Sequence, residues 1–134
     1  KKTNNIKINN IEDIHTYKFG VVREDISELH LKTLGVNKNK IETTGGIDAI
    51  NKLIKMLDKY RFDLLSFNSD VAFREIKRMG FDVNDFEVVY ALSTSELYFA
   101  FHKDTPAEVI LEIQNALDEL KKDGTYETIH NKYR

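Results

Sequence analysis

The sequence predicts an α/β fold, with helices on both faces of a mostly parallel sheet in a three-layer αβα arrangement. Short runs of β-branched and aromatic residues alternate with longer segments of helical apolar spacing, as in successive strand–helix–strand units. Crossovers of constant right hand then distribute the helices over both faces. Gly35, Gly80 and Gly124 each follow a helical pattern, where a left-handed residue ends a helix. No internal repeat or low-complexity linker interrupts this order, and the single proline is Pro106.

Residues 1–10 read as a polar, Asn-rich lead-in with isolated Ile6 and Ile8, and Ile11 and Ile14 follow in the same style. The run 17–23, YKFGVVR, is the first strand. Asp25 or Ser27 then caps a short helix carrying Leu29, Leu31 and Leu34. Residues 41–44, IETT, form a second short strand. Gly45-Gly46 breaks the chain, and Ile47, Ile50, Leu53, Ile54 and Leu57 mark an amphipathic helix. A third strand covers 62–67, FDLLSF, and the next helix, 69–79, faces inward through Ala72, Ile76 and Met79. Fourth and fifth strands are expected at 86–92, FEVVYAL, and at 97–101, LYFAF.

The C-terminal helices follow. Thr105 is placed to cap a helix, Pro106 suits its first position, and Glu108 completes a capping box. Val109, Ile110, Ile113, Ala116, Leu117 and Leu120 recur at spacings that make one apolar stripe. Lys121 and Lys122 lie in the last turn, where the helix dipole favours them. A shorter helix over 126–133 turns in Ile129 and Tyr133.

Composition narrows the function classes. At 134 residues the chain holds one domain with a core more comfortably than two. Its formal net charge of −2 lacks the basic excess of a nucleic-acid surface, so no nucleic-acid partner is expected. Zero cysteines exclude disulfides, thiolate catalysis and Cys-based zinc sites, and leave the redox compartment open. No apolar run approaches the roughly 20 residues of a membrane span. The chain opens at Lys1-Lys2 without Met or signal peptide, which reads as a processed or cut N-terminus.

The stretch LYFAFHKDTP…LDELKKDGTYETIHNKY carries a more specific signal. It resembles the C-terminal end of the extracellular solute-binding proteins, the family related to the periplasmic amino-acid receptors of ABC transporters. There an aromatic strand precedes a helix closing in Leu-Lys-x-Asp-Gly-Thr-Tyr and a last helix in Ile-x-x-Lys-Tyr. Ile11-Glu12-Asp13-Ile14 likewise resembles the segment before the first strand of that family's second lobe. The resemblance implies a type II periplasmic-binding-protein fold, with 11–96 as the second lobe. Residues 97–134 become a hinge strand and helices that return to a first lobe whose segment is absent here. The stripe of the 106–121 helix must then cover the second lobe or meet another chain, as in a homodimer. By resemblance the function is capture of a small amino-acid-like or organic-acid solute, reported to an ABC permease in an extracellular or periplasmic setting.

Ligands in open α/β sheets bind beyond the carboxyl ends of the strands. Three such points exist. After the first strand, Arg23 could hold a carboxylate through its guanidinium fork, and Arg23 and Ser27 match ligand-contacting positions of the family. Glu24 and Asp25 depart from the family's small, Gly-containing loop, and Asp25 is equally a plain helix cap. After the third strand, Asn68 stands where amino-acid-binding members carry an Asp for the ligand ammonium, which disfavours an α-amino acid. Asn68 and Ser69 also serve simply as a helix start. Before the 47–57 helix, Thr43-Thr44-Gly45-Gly46 could cradle an anion through Thr44, or form an ordinary turn.

No chemistry is expected. His15, His30, His102 and His130 show no metal-binding spacing, and no G-x-S-x-G elbow exposes a nucleophile. No metal or cofactor is implied. Two other readings keep the fold: the ligand-sensing ectodomain of a membrane receptor such as a histidine kinase, and a dehydratase-like enzyme acting on prephenate-like acids.

Overall fold

A computed structural model describes residues 1–94 and 98–132. It is mixed α/β, built on a three-stranded parallel sheet of order β2-β1-β3. The central strand β1 (Phe19–Val22) pairs along one side with β2 (Ile41–Thr44), from Phe19 opposite Ile41 to Val22 opposite Thr44. On its other side lies β3 (Leu64–Leu65), with Phe19 opposite Leu64 and Gly20 opposite Leu65. The chain separates into two compact units, Lys1–Ser93 and Thr94–Arg134.

In the first unit, alternation along β1 divides the apolar side chains between two faces. Phe19 and Val21 join Ile14, Leu31 and Val36, with Leu64 and Ile41 packed against them. Val22 and Leu65 instead pack against a cluster of Leu53, Ile54, Leu57, Phe62, Ile76 and Phe86. Helix α1 (Ile26–Thr33) therefore covers one face through Leu31. Helices α2 (Ala49–Asp58) and α3 (Ser69–Arg78) cover the other. The path from β1 to β2 and the path back to β3 run in opposite directions across the sheet. Their helices lie on opposite faces, as a constant crossover hand requires.

Gly20 is the tightest point of this packing. A Cβ built on it would stand 2.1 Å from Cζ of Phe62, whose ring lies directly on the strand backbone. No side chain larger than hydrogen fits there. Phe62 is thus drawn into the core, and only Leu64–Leu65 of the expected 62–67 strand pair with β1. The segment is pinned by Asp63, whose Oδ2 accepts the Lys18 amide at 2.8 Å, and by the Leu64 amide on the Lys18 carbonyl at 3.0 Å.

The helix ends follow local chemistry. Gly35 and Gly80 take positive φ, 76° and 80°, after α1 and α3. Asp25 caps α1, accepting the Ser27 amide at 3.0 Å, and Asn68 caps α3, accepting the Val71 amide at 3.0 Å. Ile47 does not join the stripe of its helix. Gly46, at φ 93°, turns the chain before α2 begins at Ala49, and Ile47 is left 103% exposed.

The N-terminal residues are tied to the unit. Asn10 and Asp13 form a reciprocal capping box on a 3-10 turn, Ile11–Thr16, that delivers Ile14 to the core fully buried. Lys40 Nζ closes its far end on the carbonyls of His15 and Thr16, at 2.6 and 3.0 Å. Lys1 pairs with Asp58 at 2.5 Å, its ammonium 5.5 and 5.7 Å from the ring centroids of Tyr60 and Phe86.

The expected strand at 86–92 does not form. Regular alternation would put Phe86 and Leu92 on the same side of a strand. Phe86 instead packs with α2 and α3, whereas Leu92 packs with the cluster beneath α1. A segment serving opposite faces of the sheet cannot keep that alternation, and Val88 between them is 59% exposed.

The second unit contains α4 (Ala107–Lys122) and α5 (Thr125–Lys132), which pack together. Residues 98–101 are not a strand, and Leu97 of the expected fifth strand lies outside the described residues. The Thr105–Glu108 capping box is also not made. Pro106 occupies the cap position without a side-chain bond, and the Thr105 amide closes a turn on the His102 carbonyl at 2.9 Å. Gly124, at φ 82°, separates the helices, and Asp123 accepts the Thr125 amide at 2.8 Å. Tyr126 stacks on His130 with ring centroids 6.1 Å apart. Val109, Ile110, Ile113 and Leu120 of the stripe stand exposed, as does Ile129, and Tyr133 lies outside the described residues. Among the described residues no helix is long and apolar enough to cross a membrane.

Gly20→Ala should lower the unfolding free energy in urea by about 1–3 kcal/mol, the usual cost of overpacking. In the double variant with Phe62→Leu the loss should be smaller than the sum of the two single losses. Strict additivity would mean that the ring does not rest on Gly20.

Candidate functional site

Because the three strands are parallel, their carboxyl ends open at one edge of the sheet. Each is followed there by a loop and a helix N-terminus. The chain leaves β1 toward β2 and returns past it to β3, so the order reverses at β1. Such a reversal is where ligands enter open α/β sheets.

The loop after β1 brings several of the expected residues together. The Arg23 amide donates to the Thr44 carbonyl at 3.0 Å, joining the ends of β1 and β2. The Arg23 side chain is exposed and runs beside Gly45: a Cβ there would lie 3.8 Å from Arg23 Cβ and 3.9 Å from Nη1. These are ordinary van der Waals distances, so the Arg23 side chain passes Gly45 without crowding it. Asp25 Oδ1 receives both the amide and the short hydroxyl bond of Ser27, and Ser27 is buried. Asp25 and Ser27 are therefore engaged with each other at the start of α1, behind Arg23.

Asn68 and Ser69 stand at the end of β3, on the other side of β1. The Ser66 amide donates to the Gly20 carbonyl at 3.1 Å, carrying the pairing toward this edge. Asn68 is exposed, with its Oδ1 engaged by the Val71 amide, and Ser69 is exposed as the first residue of α3. The edge thus offers a guanidinium, a threonine at a strand end and a carboxamide. That set can hold a small acidic or polar solute, and it contains no evident nucleophile–base pair. Among the described residues no group of three or more His, Asp or Glu could hold a metal ion.

One residue of the site, Glu28, has no place in the sequence expectations, and Glu24 figures there only as a departure from a Gly-containing loop. Glu24 has a left-handed backbone, φ 62°, a conformation that a glutamate side chain does not favour. Glu28 is only 8% exposed; its Oε2 accepts the Glu24 amide at 2.7 Å and its Oε1 pairs with Lys32 at 2.6 Å. The i,i+4 spacing of Glu28 and Lys32 was the available clue. The Lys32 ammonium, then the Glu24 amide, hold the Glu28 carboxyl below its ordinary pKa, with a further pull from Arg23, and these outweigh the opposing effect of burial.

A carboxyl whose folded-state pKa lies below its unfolded value stabilises the fold fully above the unfolded pKa, about 4.3. That contribution disappears as the pH falls through the folded value. Glu28→Gln should therefore cost about 1–2 kcal/mol at pH 7. The gap between the denaturation curves of variant and wild type should begin to narrow below about pH 4 and close only as the pH falls through the lowered folded value. A gap that stays constant with pH would show that the carboxylate charge is not what is lost.

Compared with protein-family models, with curated proteins and with solved structures, the chain matches none.

Proposed function

We propose that this chain binds a small polar acid as the second lobe of a solute-binding protein of type II periplasmic-binding-protein fold. The observation that carries the reading is Arg23, an exposed cation at the strand-order reversal, joined to Thr44 and flanked across β1 by Asn68. The resemblance of the C-terminal stretch to the amino-acid-receptor family supports it independently of that geometry. Arg23 would receive the carboxylate in a bidentate fork. Asn68 is neutral and favours an organic acid or amino-acid-like molecule without a free ammonium at that point. Binding alone is required, with no chemical step. The opposite wall of the cleft would come from a first lobe, closing by a hinge that the ligand biases. An ABC permease would receive the closed form, in an extracellular or periplasmic setting.

The test is calorimetric unfolding of the chain with succinate, L-glutamate and a neutral amide as probes. A bound acid at about 100 times its dissociation constant should add about 2.7 kcal/mol of stability. Arg23→Ala should weaken that binding by about tenfold or more, as expected for loss of a charge-assisted pair. Stabilisation by neither acid, or stabilisation indifferent to Arg23→Ala, would remove the reading.

A further inference from the structure

The Arg23–Glu24 peptide sits in an unusual state. The Asp25 amide donates to the Val22 carbonyl at 3.3 Å, closing a four-residue turn in which Glu24, the third residue, has φ 62° and Arg23 does not have positive φ. That pattern belongs to a type II turn, whose third position calls for glycine or asparagine. A glutamate there is strained, because its Cβ crowds the following carbonyl in the left-handed region. A type I turn would avoid the strain by rotating the central peptide through about half a turn.

What prevents the rotation is visible. The Glu24 N–H points inward and donates to Glu28 Oε2 at 2.7 Å, while Lys32 holds Oε1 of the same carboxylate at 2.6 Å. The peptide is trans, so the Arg23 carbonyl points the opposite way, toward the outside of the loop. Rotation would bring that carbonyl against a buried carboxylate and leave the carboxylate without its donor.

We propose that Glu28 is a positioning residue of the ligand loop: it locks the Arg23–Glu24 peptide amide-inward and so fixes the direction in which Arg23 is presented over Gly45. The consequence for affinity rests on the proposed acid-binding function, whereas the locking itself does not. Removal of the carboxylate frees the turn to relax to the type I form, and Arg23 loses its preset direction. A glycine at position 24 needs no lock, because it takes positive φ without strain.

The experiment reads the Glu24 amide directly, by 15N–1H NMR and hydrogen exchange, in wild type, Glu28→Ala, Glu28→Gln, Lys32→Met and Glu28→Ala/Glu24→Gly. Exchange at Glu24 should rise at least tenfold in Glu28→Ala and stay near wild type in Lys32→Met. Affinity for succinate should fall at least fivefold in Glu28→Ala and recover in Glu28→Ala/Glu24→Gly. A helix that merely misses its Glu28–Lys32 pair would not be rescued by a glycine at 24. The shape-conserving Glu28→Gln covers the case in which Glu28→Ala does not fold. Its carboxamide can accept from the Glu24 amide or donate to the rotated Arg23 carbonyl, so the resonances of 22–25 should broaden from two turn states. Unchanged Glu24 exchange in Glu28→Ala, no recovery with Glu24→Gly, or an unaltered Glu24 resonance in Glu28→Gln would each overturn the proposal. If wild type takes up no acid, the proposed function fails, and the exchange comparison still decides the role of Glu28.

Discussion

A phenyl ring resting on a glycine is the contact on which the rest of the first unit depends. Gly20 is the one position of β1 where the strand backbone meets a ring without an intervening side chain. The ring belongs to Phe62, which shares a cluster with Leu53, Ile54 and Leu57 of α2 and Ile76 of α3. One close approach therefore joins the central strand to the helical layer below it. It also fixes where β3 can lie, because residues 63–66 follow directly and bond to Lys18 and Gly20. The position of Asn68 at the edge descends from that registration.

The same economy governs the strand ends. Asp25 and Asn68 both use side-chain oxygens to begin helices, since the first amides of a helix have no partners within it. A loop residue that caps a helix is held in one orientation. Arg23 stands apart from these capping residues: its backbone completes the link to Thr44 while its side chain extends over Gly45. The cost of that arrangement is concentrated in Glu24, and the buried Glu28 carries it.

Much of this was legible in the residues. The second strand has the bounds its sequence suggests, and Gly35, Gly80 and Gly124 all take the left-handed conformation expected after a helix. Asp25 and Asn68 cap as short polar side chains do. The strand expected at 86–92 was misleading because alternation describes only what a segment could bury. Whether it becomes a strand depends on a partner edge, and here Phe86 and Leu92 are drawn to different faces. Thr105 and Glu108 satisfy the capping-box spacing, but the helix starts one residue beyond Pro106, out of phase with the box. The strained turn at Glu24 was illegible for a different reason. Its stabilising partner is four residues away and buried, and burial is a property of the folded unit rather than of the local sequence.

The crossing segment 86–92 has a consequence for how the first unit comes apart. It is anchored by Phe86 in the core beneath α2 and α3 and by Leu92 in the core beneath α1. Two hydrophobic cores separated by a thin sheet would ordinarily be free to loosen one at a time. A strap fastened in both makes the opening of one face pull on the other. Thin as its sheet is, the first unit should melt as one cooperative whole rather than layer by layer.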